Sequence, residues 1–441
     1  MTTVFGVLAG VLILGFIMVL HELGHFLAAR ALGFKIEQFS IFMGPVLFER
    51  VKNGIRYNIK AIPIGASVSF AGEDSVIEGE TSDPEFDRED PSLFMNKPRW
   101  QRAIVVAMGP LVNFLTALIV FSILFCFTGV VIPVVDQPVS GSMIEQSEIE
   151  PGDRIVAING SRIHTTLDIG ITYMVHDEDS PWTITYKNPE GELKTTVLEP
   201  EFDAPRPMLG IIYQEDRGTF TIVEVDSAAY REEQGLMPGD QIIALEGIPF
   251  EDHARIQALI ARSEGVKLTA EVIRDGKRTR LDVSPLLISA RKPLGLTFTY
   301  SKRVGDALSQ GFHYPMAIIR STFRALGMLF TGKIGVKDSL AGPVGIVTVV
   351  ADTVARGKTF FEVITDVLTM FGILSVAVGF TNMLPIPPLD GHHLLILAVE
   401  GIRRKSLSEK FKQVTSIAGA VVFLALGAFV LWLDLSRLLG W

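Results

Sequence analysis

Four long stretches of the chain consist almost entirely of apolar residues, and each is long enough to cross a lipid bilayer as a helix. They cover residues 4–30, 103–133, 361–384 and 414–434. About 20 apolar residues span the ~30 Å hydrocarbon core, where backbone amides must find their partners inside a helix. The pattern therefore predicts a polytopic α-helical membrane protein with four transmembrane helices, here called spans one to four.

Between spans two and three the pattern changes to short alternating stretches separated by turn residues, and it contains an internal repeat. The segment Pro151–Gly160 recurs as Pro238–Gly247, 87 residues later. In each copy a Pro-Gly-Asp turn precedes an alternating strand that ends at a second turn. Two β-rich modules are predicted, 134–216 and 217–300, and they resemble a tandem of PDZ domains, which bind extended peptides along a sheet edge. Modules that only space or shield the membrane part remain an alternative.

The segment between spans one and two, residues 34–102, contains a predicted β-hairpin. Residues 47–52 and 55–60 partly alternate around Asn53 and Gly54, a strong two-residue turn signal. A hairpin beside a membrane span offers a free strand edge. Farther along, residues 73–90 are rich in Asp and Glu, and we interpret them as a solvated loop without a catalytic role.

The segment between the second module and span three, residues 301–360, contains one further helical pattern. Residues 307–330 place apolar side chains at helical spacing and put Arg320 and Arg324 on one face. Both an interfacial helix along the bilayer and an ordinary packed helix fit this pattern.

The distribution of Lys and Arg around the spans predicts the orientation in the membrane. Cytoplasmic loops of membrane proteins carry an excess of these residues. Residues 1–20 and 131–150 contain none, so both termini and the β-rich modules are expected on the far side, which in a bacterium is the periplasmic face of the inner membrane. Loops 34–102 and 385–413 are expected in the cytoplasm because they hold or adjoin Arg30, Lys35, Lys97, Arg99, Arg102, Arg403, Arg404, Lys405, Lys410 and Lys412.

The composition agrees with a membrane protein and excludes several classes of function. Of the 441 residues 48% are hydrophobic and 20% charged, and the mean hydropathy is +0.36. A net charge of −9 leaves no cationic field for nucleic acid. A single cysteine, Cys126, excludes an internal disulfide and has no histidine at a recognisable spacing. Neither a phosphate-binding GxxxxGK[ST] loop nor a GxSxG nucleophile elbow is present.

Span one contains the motif with the clearest chemistry, His21-Glu22-Leu23-Gly24-His25. Positions i and i+4 lie one above the other on a helix, so both imidazoles can reach one metal ion while Glu22 faces a water beside it. Zinc accepts such nitrogen ligands and keeps an open position in catalytic sites. Polar groups inside a membrane are costly and usually functional. A structural cluster of hydrogen-bonded side chains between helices is the alternative.

A catalytic zinc site usually has three protein ligands, and Asp390 is the candidate for the third. It follows span three in a segment, residues 382–391, with three prolines within four positions, which must interrupt the helix. Irregular backbone at membrane depth is tolerated where it lines a cavity or is buried in protein. An ordinary helix-end aspartate is the alternative, and His392 and His393 remain candidates for a ligand or for a residue that supports one.

Taken together, these motifs resemble the site-2 protease family of intramembrane zinc metalloproteases. The resemblance covers essentially the whole chain. It rests on the HExxH of span one, the PDZ-like repeat, and two further motifs, Gly109-Pro110-Leu111-Val112-Asn113 at the start of span two and the Asn-x-x-Pro segment that leads to Leu389-Asp390-Gly391. One departure is Gly391-His392-His393, where the family has Gly-Gly-His.

The resemblance implies a role for each matching residue. His21, His25 and Asp390 would bind zinc, and Glu22 would be the catalytic general base. Three residues of the broken segment would hold the substrate strand: Asn382, Pro385 and Pro387. Residues 338–348 would form the family's membrane-associated β element. The implied domain order is membrane core 1–133, PDZ domains 134–216 and 217–300, interfacial helix and β element 301–360, and membrane core 361–441.

The expected function is an intramembrane endopeptidase that cleaves the transmembrane segment of a single-span protein. By resemblance the substrate is an anti-sigma factor or a remnant signal peptide, and the PDZ pair limits entry to substrates already trimmed of their extracytoplasmic domains. The competing hypothesis is a non-catalytic membrane adaptor that binds peptides through its PDZ domains. An intact Glu22 beside the two histidines argues against the adaptor.

Overall fold

The structure is a computed structural model. It describes residues 2–71, 90–177, 180–216, 218–225, 235–263, 266–289, 291–332, 334, 342–356 and 359–439. In chain order the helices are α1 (Thr2–Ala31), α2 (Arg99–Thr128), α3 (Thr166–Val175), α4 (His253–Arg262), α5 (Val304–Phe330), α6 (Pro343–Arg356), α7 (Phe360–Asn382), α8 (Asp390–Arg403) and α9 (Glu409–Leu439).

The described strands are as follows: β1 (Ile36–Lys52), β2 (Ile55–Phe70), β3 (Val130–Val135), β4 (Arg154–Ile158), β5 (Ser161–Arg162), β6 (Trp182–Lys187), β7 (Leu193–Leu198), β8 (Arg206–Met208), β9 (Ile211–Asp216), β10 (Thr219–Val225), β11 (Gln241–Leu245), β12 (Ile248–Pro249), β13 (Leu268–Arg274), β14 (Lys277–Val283), β15 (Leu286–Ile288) and β16 (Phe298–Ser301). The chain divides into two compact units. One comprises Met1–Val134, Arg154–His176 and Phe298–Trp441, and the other Val135–Asp153 and Asp177–Thr297.

Among the described residues, four helices are long and apolar enough to cross a membrane, as the sequence predicted. They are Gly6–Ala31, Arg99–Thr128, Phe360–Asn382 and Lys410–Arg437. Span two is displaced from the expected 103–133: it begins at Arg99 and ends at Thr128, and the following Gly129, with a φ of 76°, breaks the helix. The β-branched residues that follow form strand β3 instead, in keeping with their preference for extended backbone.

The predicted hairpin between spans one and two is confirmed, and it is longer than the sequence indicated. Its turn is Asn53-Gly54, with φ of 54° and 78°, and Lys52 pairs with Ile55. Both strands also bend, so that Ile41 pairs with Ile59 on one side and with Ala66 on the other. The hairpin therefore folds into a small sheet in which residues 66–70 form one outer edge.

The internal repeat has the same backbone geometry in both copies. The repeated aspartates close the Pro-Gly-Asp turn in the same way: Asp153 accepts the N–H of Glu150 at 2.9 Å, and Asp240 accepts that of Met237 at 2.9 Å. Both copies also end in a turn of two residues with positive φ. These turns are Asn159-Gly160 (49° and 73°) and Glu246-Gly247 (48° and 74°), as the two-residue hairpin turn requires.

In the second unit, the second copy of the repeat belongs to an antiparallel sheet with strand order β14, β13, β11, β10, β9. Strand β9 pairs with β10, so residues 211–216 share a sheet with the second copy. The segment 293–297 returns to pair with residues that precede the first copy, for example Val139, which donates to the carbonyl of Gly295 at 3.1 Å. The division at residue 216 stays a prediction.

The face of α5 that carries Arg320 and Arg324 packs against protein. The guanidinium of Arg320 donates to Oδ1 of Asp168 on α3 at 2.8 and 3.0 Å. On the other side of α5, Tyr314 packs on Phe121 of α2, with ring centroids 4.8 Å apart. Of the two predictions for residues 307–330, these contacts favour the packed helix.

The β element expected at 338–348 is wrong for residues 343–348, which form the start of α6. Gly342 and Gly345 donate backbone N–H groups to Oδ1 and Oδ2 of Asp434 at 3.0 and 2.8 Å. A carboxylate at a helix N-terminus satisfies amides that have no partner within the helix and interacts favourably with its dipole. Residues 338–341, like most of the acidic run 73–90, lie outside the described residues.

Candidate metal centre

Helix α1 brings the two histidines of HExxH together in the membrane core. His21 and His25 are each 6% exposed, and their Nε2 atoms lie 3.2 Å apart. Tight packing against α2 positions this face of α1, since a Cβ on Gly24 would lie 2.9 Å from the carbonyl carbon of Met108. The i, i+4 spacing thus does what the sequence predicted: it directs two imidazole nitrogens to one point.

Asp390 reaches the same point from the opposite end of the chain. Residues 383–389 interrupt the helix after α7, as the proline cluster predicted, and α8 begins at Asp390. Its Oδ2 lies 3.0 Å from Nε2 of His21 and 3.4 Å from Nε2 of His25. Gly391 permits this turn because a Cβ there would overlap the carbonyl groups of Met383 and Leu384.

The three donor atoms have the spacing of a tetrahedral zinc site. Their separations are 3.0, 3.2 and 3.4 Å. Zinc bonds of about 2.05 Å at tetrahedral angles place neighbouring ligand atoms about 3.3 Å apart. Among the described residues, this is the one group of His, Cys and acidic side chains whose donor atoms lie close enough to share a metal ion. The donor set and its size fit zinc.

Helix α2 supplies room for the ion and holds both imidazoles. A Cβ on Gly109 would lie 2.8 Å from Nε2 of His21 and closer still to Nε2 of His25, so the missing side chain leaves space beside the donors. Nδ1 of His25 lies 2.8 Å from the carbonyl oxygen of Val105, and Nδ1 of His21 lies 3.2 Å from the amide of Asn113.

Only part of this α2 contribution has a signal in the sequence. Gly109 and Asn113 belong to a motif quoted for the family resemblance, but the sequence reasoning assigned them no contact, and it missed Val105 entirely. A buried asparagine in an apolar span is the feature that could have drawn attention, because polar side chains are rare there. A backbone carbonyl such as that of Val105 has no sequence signal.

Glu22 lies beside the donor atoms and next to the edge of the hairpin sheet. Its Oε2 accepts the backbone N–H of Val68 at 3.0 Å. Val68 is in the outer strand 66–70, whose neighbours Ser67 and Ser69 pair with β1. The glutamate of HExxH therefore contacts the outer strand 66–70, which pairs on its other side with β1 among the described residues, whereas the sequence had predicted a strand edge only for the hairpin 47–60.

The structure also shows the local contacts of the other residues singled out in the sequence. Asn382 ends α7 and donates its side-chain amide to the carbonyl of Val378 at 3.1 Å. Pro387 packs tightly on Gly419 of α9, whereas Pro385 is exposed. Neither His392 nor His393 belongs to the donor group.

The far end of α8 is anchored by a buried acid. Glu400 is 1% exposed, accepts the N–H of Leu407 at 2.9 Å, and lies 3.1 Å from Nζ of Lys412. Burial alone would raise the pKa of this carboxyl. The Leu407 hydrogen bond and the charges of Lys412 and Arg102 outweigh burial, so the pKa of Glu400 lies below its ordinary value. The helix that carries Asp390 is thus held at both ends.

Comparison with known proteins identifies the family. The model of "Peptidase family M50" matches residues 9–426. The chain belongs to peptidase family M50. This is the site-2 protease family, so the resemblance read from the sequence is confirmed, as is the prediction that the protein is a zinc metalloprotease.

The curated relatives span nearly the whole chain. A Pasteurella multocida protein named as a zinc metalloprotease is 29% identical over 97% of this chain and 98% of its own length. The regulator of sigma-E protease RseP of Escherichia coli K12 is 28% identical over 96% and 97%, respectively. The regulator of sigma E protease of Haemophilus influenzae is 26% identical over 95% and 96%. These M50 relatives support zinc as the cofactor.

Proposed function

We propose that this M50 protease is an intramembrane zinc endopeptidase in which His21, His25 and Asp390 hold the metal and Glu22 is the general base. The observation that carries the proposal is the triangle of donor atoms with edges of 3.0, 3.2 and 3.4 Å. When bound, zinc supplies Lewis acidity, which acidifies a water and polarises a peptide carbonyl.

The position of Glu22 supports a role in proton transfer. Its Oε2 accepts the N–H of Val68, and we assign to Oε1 the removal of a proton from the attacking water. The same oxygen then delivers the proton to the nitrogen of the leaving amine. His21 and His25 would hold the zinc ion through their Nε2 atoms, which point to one place.

The free edge beside Glu22 supports a way to present the substrate. A transmembrane helix hides its carbonyl groups in its own hydrogen bonds, so it must unwind locally before cleavage. Strand 66–70 can accept the unwound segment as an added strand. On the other side of the cleavage point, Asn382, Pro385 and Pro387 are proposed to hold the same segment.

The two β-rich modules are proposed to be PDZ domains that restrict entry to trimmed, single-span proteins. The proposal rests on the repeated turn geometry and on the relatives named regulators of sigma-E protease. On the same basis the substrate is an anti-sigma factor or a remnant signal peptide. The modules would lie in the periplasm of a bacterium and loops 34–102 and 385–413 in the cytoplasm, because Lys and Arg concentrate in and beside those loops.

The test uses the full-length chain in lipid nanodiscs with a single-span membrane protein as the substrate. The parent is expected to carry about one zinc per chain and to cut within the transmembrane segment. Glu22→Gln should keep the zinc and lose roughly 100- to 10,000-fold in rate, the usual contribution of a general base. Glu190→Gln, which neutralises an exposed acid in a β-rich module, is the matched control and should cleave normally.

Two results would contradict the proposal. Normal cleavage by Glu22→Gln would remove the assigned base. Binding of peptides by a parent protein that cleaves no membrane substrate, with zinc present, would instead support the adaptor hypothesis.

A further inference from the structure

Asn113 is buried against a proposed zinc ligand, and its amide does not match the chemistry of a metal-bound histidine. The residue is completely buried, on α2, and its Nδ2 lies 3.2 Å from Nδ1 of His21. Its Oδ1 accepts no hydrogen bond from any residue that the structure describes. Its main-chain carbonyl accepts the hydroxyl of Ser375 at 2.9 Å, so the backbone of this residue is fixed between α2 and α7.

The tautomer of His21 decides which end of the amide belongs at this contact. Nε2 of His21 faces Asp390 and His25, so Nε2 is the atom that donates a lone pair to a metal ion. In a neutral imidazole the proton is then on Nδ1, which becomes a hydrogen-bond donor. A donor needs an acceptor, and in the amide only Oδ1 accepts.

Rotation of the Asn113 amide can place either a donor, Nδ2, or an acceptor, Oδ1, against Nδ1 of His21. The oxygen and nitrogen of an asparagine amide have nearly the same shape, so a half turn exchanges them without new volume. With Nδ2 at the contact, Nδ1 of His21 is an acceptor and its Nε2 carries a proton toward Asp390. With Oδ1 at the contact, Nε2 of His21 is free to bind a cation.

Helix α2 also contacts the Nδ1 atom of the second proposed ligand, His25. Nδ1 of His25 faces the carbonyl oxygen of Val105 at 2.8 Å. A carbonyl can only accept, so this contact fixes the proton of His25 on Nδ1 and leaves its Nε2 for the metal ion. The carbonyl of Val105 fixes the tautomer of His25, whereas the amide of Asn113 can form a hydrogen bond with either tautomer of His21.

We propose that Asn113 is a positioning residue of the metal centre, whose Oδ1 accepts the Nδ1 proton of His21 and so holds the tautomer that binds zinc. This inference rests on the proposed ligand set. Partners of this kind orient a ligand and raise its basicity, and their loss usually weakens metal binding by roughly 10- to 100-fold.

The experiment measures zinc affinity by chelator competition on the full-length protein in nanodiscs. Asn113→Leu keeps a similar volume and removes the acceptor, so it should weaken zinc binding by roughly 10- to 100-fold. Asn113→Asp keeps an oxygen acceptor and should bind zinc at least as tightly as the parent. Ser375→Ala is the matched control, because it deletes the hydrogen bond to the backbone of the same residue and leaves the amide in place.

Two further readouts separate positioning from a structural role. The metal-free Asn113→Leu protein should unfold somewhat below the metal-free parent, because the contact of Nδ2 with Nδ1 of His21 is lost, and the rise in unfolding temperature on adding zinc should be smaller in the variant than in the parent. The visible absorption of the Co²⁺-loaded protein should change in Asn113→Leu and be preserved in Ser375→Ala, since the spectrum reports ligand geometry.

Parental zinc affinity in Asn113→Leu would overturn the inference. So would a loss of about tenfold or more in Asn113→Asp, and this result decides the matter if the leucine variant does not fold. A parent protein that binds no zinc would instead refute the ligand set of the proposed function.

Discussion

Gly109→Ala should abolish zinc binding by filling the space beside the donor atoms. The added Cβ would lie 2.8 Å from Nε2 of His21 and closer still to Nε2 of His25, whereas ordinary contact begins at 3.4 Å. At least one imidazole must therefore move by more than half an ångström, although zinc bonds tolerate only about 0.2 Å. We expect zinc content to fall from about one per chain to near zero, with proteolysis lost in parallel.

The helix itself should tolerate this substitution. Alanine is favoured over glycine within a helix by up to about 1 kcal/mol, which partly offsets an overpacking cost of roughly 1–3 kcal/mol. Zinc content is measured by elemental mass spectrometry and the unfolding temperature with and without a chelator. The control is Gly427→Ala in α9, where nothing lies within 4 Å of the new Cβ. A Gly109→Ala protein that keeps its zinc at parental affinity would refute the placement of the metal.

Three other predictions address the third ligand, the anchor of α8 and the orientation. Asp390→Ala should lower zinc occupancy while His392→Ala leaves it unchanged; the reverse result would make His392 the ligand. Glu400→Gln should destabilise the fold by roughly 3 kcal/mol at neutral pH. The pKa of Glu400 is lowered in the folded protein, so its contribution to stability is present above the ordinary pKa and disappears as the pH falls through the folded pKa. The unfolding temperatures of parent and variant should therefore converge in acid. A difference between the two temperatures that does not change with pH would contradict this. Cysteines introduced at Asn96 and Pro200 in a Cys126→Ser background should be labelled from opposite sides of the membrane, and labelling from one side would reverse the predicted orientation.

The grouping of His21, His25 and Asp390 could be predicted because each of them carries a local signal. His21 and His25 are fixed by helical spacing, and the proline cluster before Asp390 indicates an interrupted helix. The contacts that α2 makes with the two imidazoles have no such signal. They depend on where α1 and α2 cross, which the packing of Gly24 on the Met108 carbonyl decides.

The secondary structure shows the same division between local and distant causes. The turn at Asn53-Gly54 was predictable from two residues, whereas the pairing of Ile41 on both sides arises from bends that only the folded sheet reveals. The β element at 338–348 was implied by the family resemblance, and the four β-branched residues within 343–348 are compatible with a strand when read alone. The helix begins there because Asp434 caps it from 92 residues away along the chain.

The separation of the donors along the polypeptide has a consequence for biosynthesis. His21 and Asp390 are 369 positions apart. A ribosome must therefore translate the segment from His21 to Asp390, including both β-rich modules, before all three proposed ligands exist. With the proposed ligand set, a chain that ends before Asp390 lacks a metal ligand, so both β-rich modules are made before the metal centre can be completed.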